Sequence, residues 1–191
     1  MDKKRLIIGI SGASGAPLAV EVLKQLKKHP EIETHLVITR GAEMTLRSET
    51  DVSVETLRGF ASVYHPIDEI GACIASGSFR TMGMIVVPCS MKTAAGIHSG
   101  YSDNLLLRAA DVCLKERRKL VLVARESPLS TIHLRNLYEL SQMGAVILPP
   151  MLTYYQRPEQ VSDCTRYTAQ RILSQFGLDD EDYEWQGMND V

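Results

Sequence analysis

Cysteine is sparse and scattered. Cys73, Cys89, Cys113 and Cys164 are the only four in 191 residues, and no two form a C-x-x-C pair. That spacing excludes a disulfide framework and fits reduced thiols in a cytoplasmic protein. The five histidines show no H-x-x-x-H or other ligand spacing, which argues against a metal site. No apolar run approaches the roughly 18 residues of a membrane span. The charged start, residues 1–5, is followed by only about five apolar residues, too few for a signal-peptide core. A net charge of −2 offers no broad attraction to nucleic acid or to a membrane surface. Internal repeats, low-complexity segments and linkers are missing, and there is one tryptophan, Trp185. With 45% hydrophobic and 23% charged residues the chain reads as globular. It is long enough to bury roughly 70% of its unfolded surface. The expectation is one α/β domain over 1–177 and an acidic tail over 178–191.

The most informative stretch is Arg5 to Pro17, RLIIGISGASGAP. An apolar run leads into six residues limited to Gly, Ser and Ala, and Pro17 then opens a helical pattern. This predicts a buried strand, a tight turn and a helix N-terminus. Small residues let a ligand approach the backbone, and unpaired N–H groups of a first helical turn attract anions. The glycines stand at 9, 12 and 15 with serines between them, so this is not the dinucleotide fingerprint. A plain strand-to-helix turn is the alternative.

The rest of the chain alternates in the same way. Helices are predicted over 16–28, 42–47 and 53–60, the last capped by Ser53. Strands are predicted over 35–39 and 84–87, the latter stopped by Pro88. Residues 61–83 read as a loop-rich connection. A helix over 93–98 precedes a long one over 103–117, capped by Ser102. Strand 120–124, helix 131–143, strand 145–148 and helix 159–176 complete the pattern, with Gly144 and Gly177 closing the two helices. Five apolar strands alternating with helices predict a three-layer, Rossmann-like parallel sheet with helices on both faces. Ligands in such folds bind beyond the strand C-termini. That gathers Ser11–Ser14, Thr39–Arg40, Ser90–Thr93, Arg125–Glu126 and Tyr154–Arg157 into one region.

Helix 103–117 is apolar around most of its girth, which places it in the core or in a subunit contact. Arg108, Asp111 and Lys115 nevertheless form one stripe on it. They read either as a structural ion network or as an anion site, since buried cations need a partner. Arg125 can fork onto phosphate and Glu126 can move protons. Cys89 reads as a buried strand-end thiol rather than a nucleophile. The residues alone thus indicate an α/β protein that binds a phosphate-rich ligand without a metal.

GISGASGAP, SETD, SGSFRTMGMIVVPCSMKTAAGI, LLLRAADVCLKERR with LVLVARESP, GAVILPP and YYQRP occur in this order across nearly the whole chain. Together they resemble the UbiX-type flavin prenyltransferases, a branch of the flavoprotein superfamily. The resemblance implies transfer of a dimethylallyl group from dimethylallyl monophosphate to reduced FMN. Bonds form at flavin N5 and C6, phosphate leaves, no metal is needed, and prenylated FMN goes to a UbiD-type decarboxylase. It implies FMN contacts from Gly12, Ala13, Ser14, Thr39, Ser90, Met91, Lys92, Thr93 and Arg125. Tyr155 and Arg171 would hold the dimethylallyl phosphate with Lys115 and Arg125, and Lys115, Glu126 and Glu49 would serve the reacting centre. Tyr155 would be a candidate aromatic shield for the allyl group, with Trp185 a second candidate. Sites between subunits, usually of a homododecamer, are implied too. Two other classes stand beside this reading. An FMN-dependent decarboxylase of cysteine-ending peptides would carry a His-Ile pair, where this chain has His65-Pro66. A non-catalytic FMN carrier would not need the second phosphate set.

Overall fold

The computed structural model describes residues 4–180. Trp185 lies outside the described residues. Six parallel strands form one sheet: β1 (Lys4–Ile10), β2 (Ile32–Ile38), β3 (Val63–His65), β4 (Gly83–Cys89), β5 (Lys119–Ala124) and β6 (Val146–Ile147). Their order is β3-β2-β1-β4-β5-β6, so the strand order reverses between β1 and β4. The crevice at such a reversal is where open α/β sheets bind ligands. β1 and β4 are buried along nearly their whole length because helices cover both faces.

One face carries α1 (Ala16–Leu26), α2 (Arg40–Glu49), α3 (Val54–Arg58) and α7 (Val161–Leu173), packed on Leu6, Ile8, Leu36, Ile85 and Val121. The other carries α4 (Met91–His98), α5 (Leu105–Lys115) and α6 (Thr131–Gln142), packed on Ile7, Met84, Val86 and Leu122. The alternation along β1 follows from the period of two in a strand. Among the described residues, no helix is long and apolar enough to cross a membrane.

Several expectations need correction. The described residues form six strands, because the 61–83 connection holds β3, three residues long, and a 3-10 turn over Cys73–Ala75. Three residues are too few to show alternation. Pro88 does not stop the third predicted strand: β4 runs on to Cys89, and its ladder to β5 shifts between Val86 and Cys89, where the missing N–H falls. Asn104, not Ser102, caps α5, its side chain accepting from the Leu107 N–H at 3.1 Å. α2 and α4 begin two residues before their predicted starts, at Arg40 and Met91, capped by Thr39 and Ser90. The apolar girth of α5 is spent inside its own subunit: Leu105, Leu106, Ala109, Ala110, Val112 and Cys113 are all at most 1% exposed. Exposed apolar side chains cluster instead on α6, with Ile132, Leu134 and Tyr138, and on the loop after β6, with Met151 and Leu152, besides scattered ones such as Met44 and Val161.

Candidate functional site

Ser11 holds the switch point together. Its hydroxyl donates to the Pro88 carbonyl at 2.9 Å and accepts from the Ser90 N–H at 2.8 Å. Its own N–H donates to the same carbonyl at 3.2 Å. The loops after β1 and β4 are therefore tied by one buried side chain. Gly12 packs on the next loop: a Cβ there would stand 2.9 Å from the Gly41 backbone, so only glycine allows the two turns to touch. Gly15 has a φ of 127°, also glycine territory.

A cleft of about 910 Å³ opens beyond the strand ends on the α4–α5 side. Gly12, Thr39, Ser90, Met91, Lys92, Thr93 and Glu126 line it. Two helix N-termini point into it. Thr39 caps α2 by accepting from the Ala42 N–H at 3.2 Å, and Ser90 caps α4 by accepting from the Thr93 N–H at 3.3 Å. Each cap leaves the first two N–H groups of its helix, on Arg40 and Gly41 and on Met91 and Lys92, for a ligand. The Ser90 hydroxyl donates to the Thr93 hydroxyl at 3.1 Å. Thr93, buried at 8% exposure, thus has its own proton to give onward. Asn104, Tyr101 and Asp68 also line the cleft. Sequence reasoning did not select these, because no motif marks residues that reach a site only through the path of a long connection.

The N-terminus of α1, the first anion site expected from sequence, is already occupied. Glu49, the last residue of α2, accepts from the Gly15 and Ala16 N–H groups at 2.8 and 2.9 Å. Partial burial pushes its carboxyl up, but those two hydrogen bonds, another from Ser14 and the Arg125 charge outweigh it. Glu49 is held below the usual carboxylate range and stands ionised at neutral pH. Ser14 and Arg125 face this carboxylate rather than lining the cleft, and Ala13 is nearly buried in the turn between.

Tyr155, Arg171 and Lys115 do not line the cleft. Tyr155 and Tyr167 share a hydroxyl–hydroxyl hydrogen bond of 2.7 Å with perpendicular rings, and Arg171 acts electrostatically on Tyr155 from α7. Tyr167 is a further member of this group that sequence reasoning missed; it lies twelve residues from Tyr155, on α7. The Tyr167 hydrogen bond pushes the Tyr155 phenol up, so it remains a donor. This pair belongs to the α7 side of the sheet, the cleft to the α4–α5 side. Lys115 ends α5 just before β5 begins, paired with Glu116, at the N-terminal edge of the strands. The six residues of β5 put that edge about 20 Å from the strand C-termini. The Arg108–Asp111–Lys115 stripe resolves into an Arg108–Asp111 ion pair of 2.7 Å, with Arg108 also donating to the Ala75 carbonyl at 3.2 Å. Of the five strand ends expected in one region, Tyr154–Arg157 does not line the cleft, and Lys115 and Arg171, expected in a site between subunits, stand apart from it as well. Burial pushes the Cys89 thiol up to about 12, so it is inert.

The Flavoprotein family model matches residues 1–170. The chain is 50% identical over 188 residues to the flavin prenyltransferase UbiX of Neisseria meningitidis serogroup B (strain ATCC BAA-335 / MC58), covering 98% of this chain and 99% of that one. It superimposes on AnUbiX (PadA1), solved in complex with FMN and dimethylallyl pyrophosphate, with a TM-score of 0.94 at 48% identity, covering 98% of this chain and all of that one. A dodecameric FMN-dependent UbiX-like decarboxylase from Escherichia coli O157:H7 gives a TM-score of 0.93 at 52% identity, covering 96% of this chain and all of that one. With a switch-point cleft built from the motifs that carry this likeness, the chain belongs to the flavoprotein family, among the UbiX-type flavin prenyltransferases.

Proposed function

We propose that this chain transfers a dimethylallyl group from dimethylallyl monophosphate to reduced FMN, releasing phosphate and giving prenylated FMN. The observation that carries the reading is the pair of capped helix N-termini, α2 and α4, converging with the Ser90–Thr93 hydroxyl relay on one cleft. Two helix N-termini and a free hydroxyl proton suit a phosphate monoester, and a cleft of about 910 Å³ suits a nucleotide-sized molecule. Gly12 lets the loops after β1 and β2 touch at the cleft wall, since a Cβ there would meet the Gly41 backbone.

FMN when bound supplies the nucleophile, nitrogen N5 and then ring carbon C6. The protein's part is to hold both partners and to stabilise the departing phosphate. Thr39, Thr93 and the first N–H groups of α2 and α4 bind FMN. The carbon–oxygen bond to the leaving phosphate breaks as the bond to N5 forms. A leaving phosphate gains charge, so cations and donors aimed at it bind the transition state more strongly than the ester. Lys115 and Arg171 are such cations, and Tyr155 is such a donor. Glu126 lines the cleft and serves the proton traffic of the second bond. Glu49 positions the Ser14 turn by holding α1, and as a carboxylate it accepts a proton rather than giving one.

Because Lys115, the Tyr155–Arg171 pair and the cleft are apart within one subunit, the reading requires a neighbouring copy to bring them together. The exposed apolar residues of α6 and the loop after β6, including Met151 and Leu152, support such assembly. A homododecamer, residence in the cytoplasm and delivery of product to a UbiD-type decarboxylase complete the proposal. The test is anaerobic phosphate release with reduced FMN. Lys115→Ala and Arg171→Ala should each bind FMN as wild type does yet release phosphate at least a hundredfold more slowly. Retained turnover in both would remove them from the reaction.

A further inference from the structure

Three potential metal ligands that share no sequence motif meet beside the sheet. His35 comes from β2, His65 from the end of β3 and Cys73 from the 3-10 turn after it. Their ligand atoms all lie within 4.8 Å of one another. Both imidazoles are nearly fully buried, and Cys73 is exposed. His35 Nδ1 and His65 Nε2 face each other at 2.9 Å.

The outer nitrogens face carboxylates. His35 Nε2 stands 2.9 Å from Glu33 Oε1, which also accepts from Arg5 Nε at 3.1 Å and so is ionised. His65 Nδ1 stands 3.8 Å from Glu69 Oε2. An ionised Glu33 takes its hydrogen bond from a protonated Nε2. Glu69, at 3.8 Å, is beyond hydrogen-bond reach of His65 Nδ1 and favours a proton there only through its charge. When both outer nitrogens carry their protons, two neutral rings turn lone pairs at each other across 2.9 Å. In that tautomeric state the pair can hold a cation; with the His65 proton on Nε2 instead, the two neutral rings share an ordinary hydrogen bond. A shared proton would put a charged imidazolium in a buried site. A metal ion instead uses both lone pairs and recruits the Cys73 sulfur as a thiolate.

We propose that His35, His65 and Cys73 form a site for one divalent transition-metal ion of the zinc class, with solvent in the fourth position. Two imidazoles and a thiolate suit zinc, and carboxylates behind the ligating histidines are the usual supporting arrangement. Tetrahedral zinc holds such ligand atoms about 3.3–3.6 Å apart, from bonds of about 2.0–2.3 Å. The histidine pair is within half an ångström of that spacing, and Cys73 sits on an exposed turn that can close the rest. The site is separate from the flavin cleft and takes no part in prenyl transfer. It would clasp the connection between β3 and β4, whose Ile67 and Asp68 line the cleft and whose Ile67 carbonyl accepts from Leu105 at 2.9 Å.

The test is equilibrium dialysis of the full chain, loaded with FMN, against zinc chloride, with metal measured per chain. Wild type should hold one zinc ion per chain. Cys73→Ser, whose folding is checked by FMN binding, should bind zinc at least tenfold more weakly. X-ray absorption at the zinc edge should show one sulfur and two imidazole nitrogens. Zinc well below one per chain, or equal binding by Cys73→Ser, would overturn the site and leave the histidines sharing a proton.

Discussion

Glu49 shows how one residue changes the reading of a loop. The sequence places an anion at the N-terminus of α1, and an anion is there, but it belongs to the protein. Removing it with Glu49→Ala should cost about 1 kcal/mol of stability at neutral pH, the usual worth of an N-terminal cap. The sign follows from its lowered folded pKa. The stabilisation is fully present above the unfolded value near 4.5 and is lost as pH falls through the folded value. Thermal unfolding should therefore show a gap between wild type and variant at pH 7 that closes in strong acid. A gap independent of pH would mean the carboxylate charge does not matter. Thr93 carries the opposite role, a buried hydroxyl with its proton directed outward by Ser90. Thr93→Val should weaken FMN binding about tenfold or more, the worth of a hydrogen bond to a charged group, as read by flavin fluorescence titration. Unchanged affinity would place the phosphate elsewhere.

Among the elements, the tie between β1 and β4 matters most. Ser11→Ala leaves the Ser90 N–H without its acceptor in a buried place. The expected loss is about 1–3 kcal/mol, seen as a lower denaturant midpoint with an unchanged slope. An unshifted midpoint would show that the two loops hold without it. Sequence periodicity identified the strands flanking this tie and the Gly, Ser and Thr turns after them, since long apolar runs and small residues carry strong local signals. It did not identify the partner of each turn. Ser11 meeting Pro88 and Glu49 reaching Gly15 are contacts across 77 and 34 residues. β3 escaped because its burial comes from neighbours, not from its own pattern, and the same pairing of β2 with β3 hid the His35–His65 contact.

For the whole molecule, the charges proposed for the phosphate and the cleft proposed for the flavin lie on different parts of one subunit. The family resemblance supplied Lys115, Tyr155 and Arg171 from motifs alone, and no local pattern could show whether they serve a neighbour's cleft. If they do, two inactive variants should rescue each other. Thr93→Val with Gly12→Val damages the cleft, and Arg171→Ala damages the donor site. Mixed assemblies of the two should recover a substantial fraction of wild-type turnover, since some sites combine an intact cleft with an intact arginine. No recovery in assemblies shown to contain both chains would return the site to a single subunit.

The central claim is prenyl transfer to FMN, and the most direct measurement is the mass of the flavin itself. The purified protein is incubated anaerobically with reduced FMN and dimethylallyl monophosphate, then denatured, and the released flavin is weighed by mass spectrometry. The account predicts FMN heavier by one isoprene unit, with loss of the signal in Arg171→Ala. Tightly held but unmodified FMN would contradict it and point to a flavin carrier or an FMN-dependent decarboxylase.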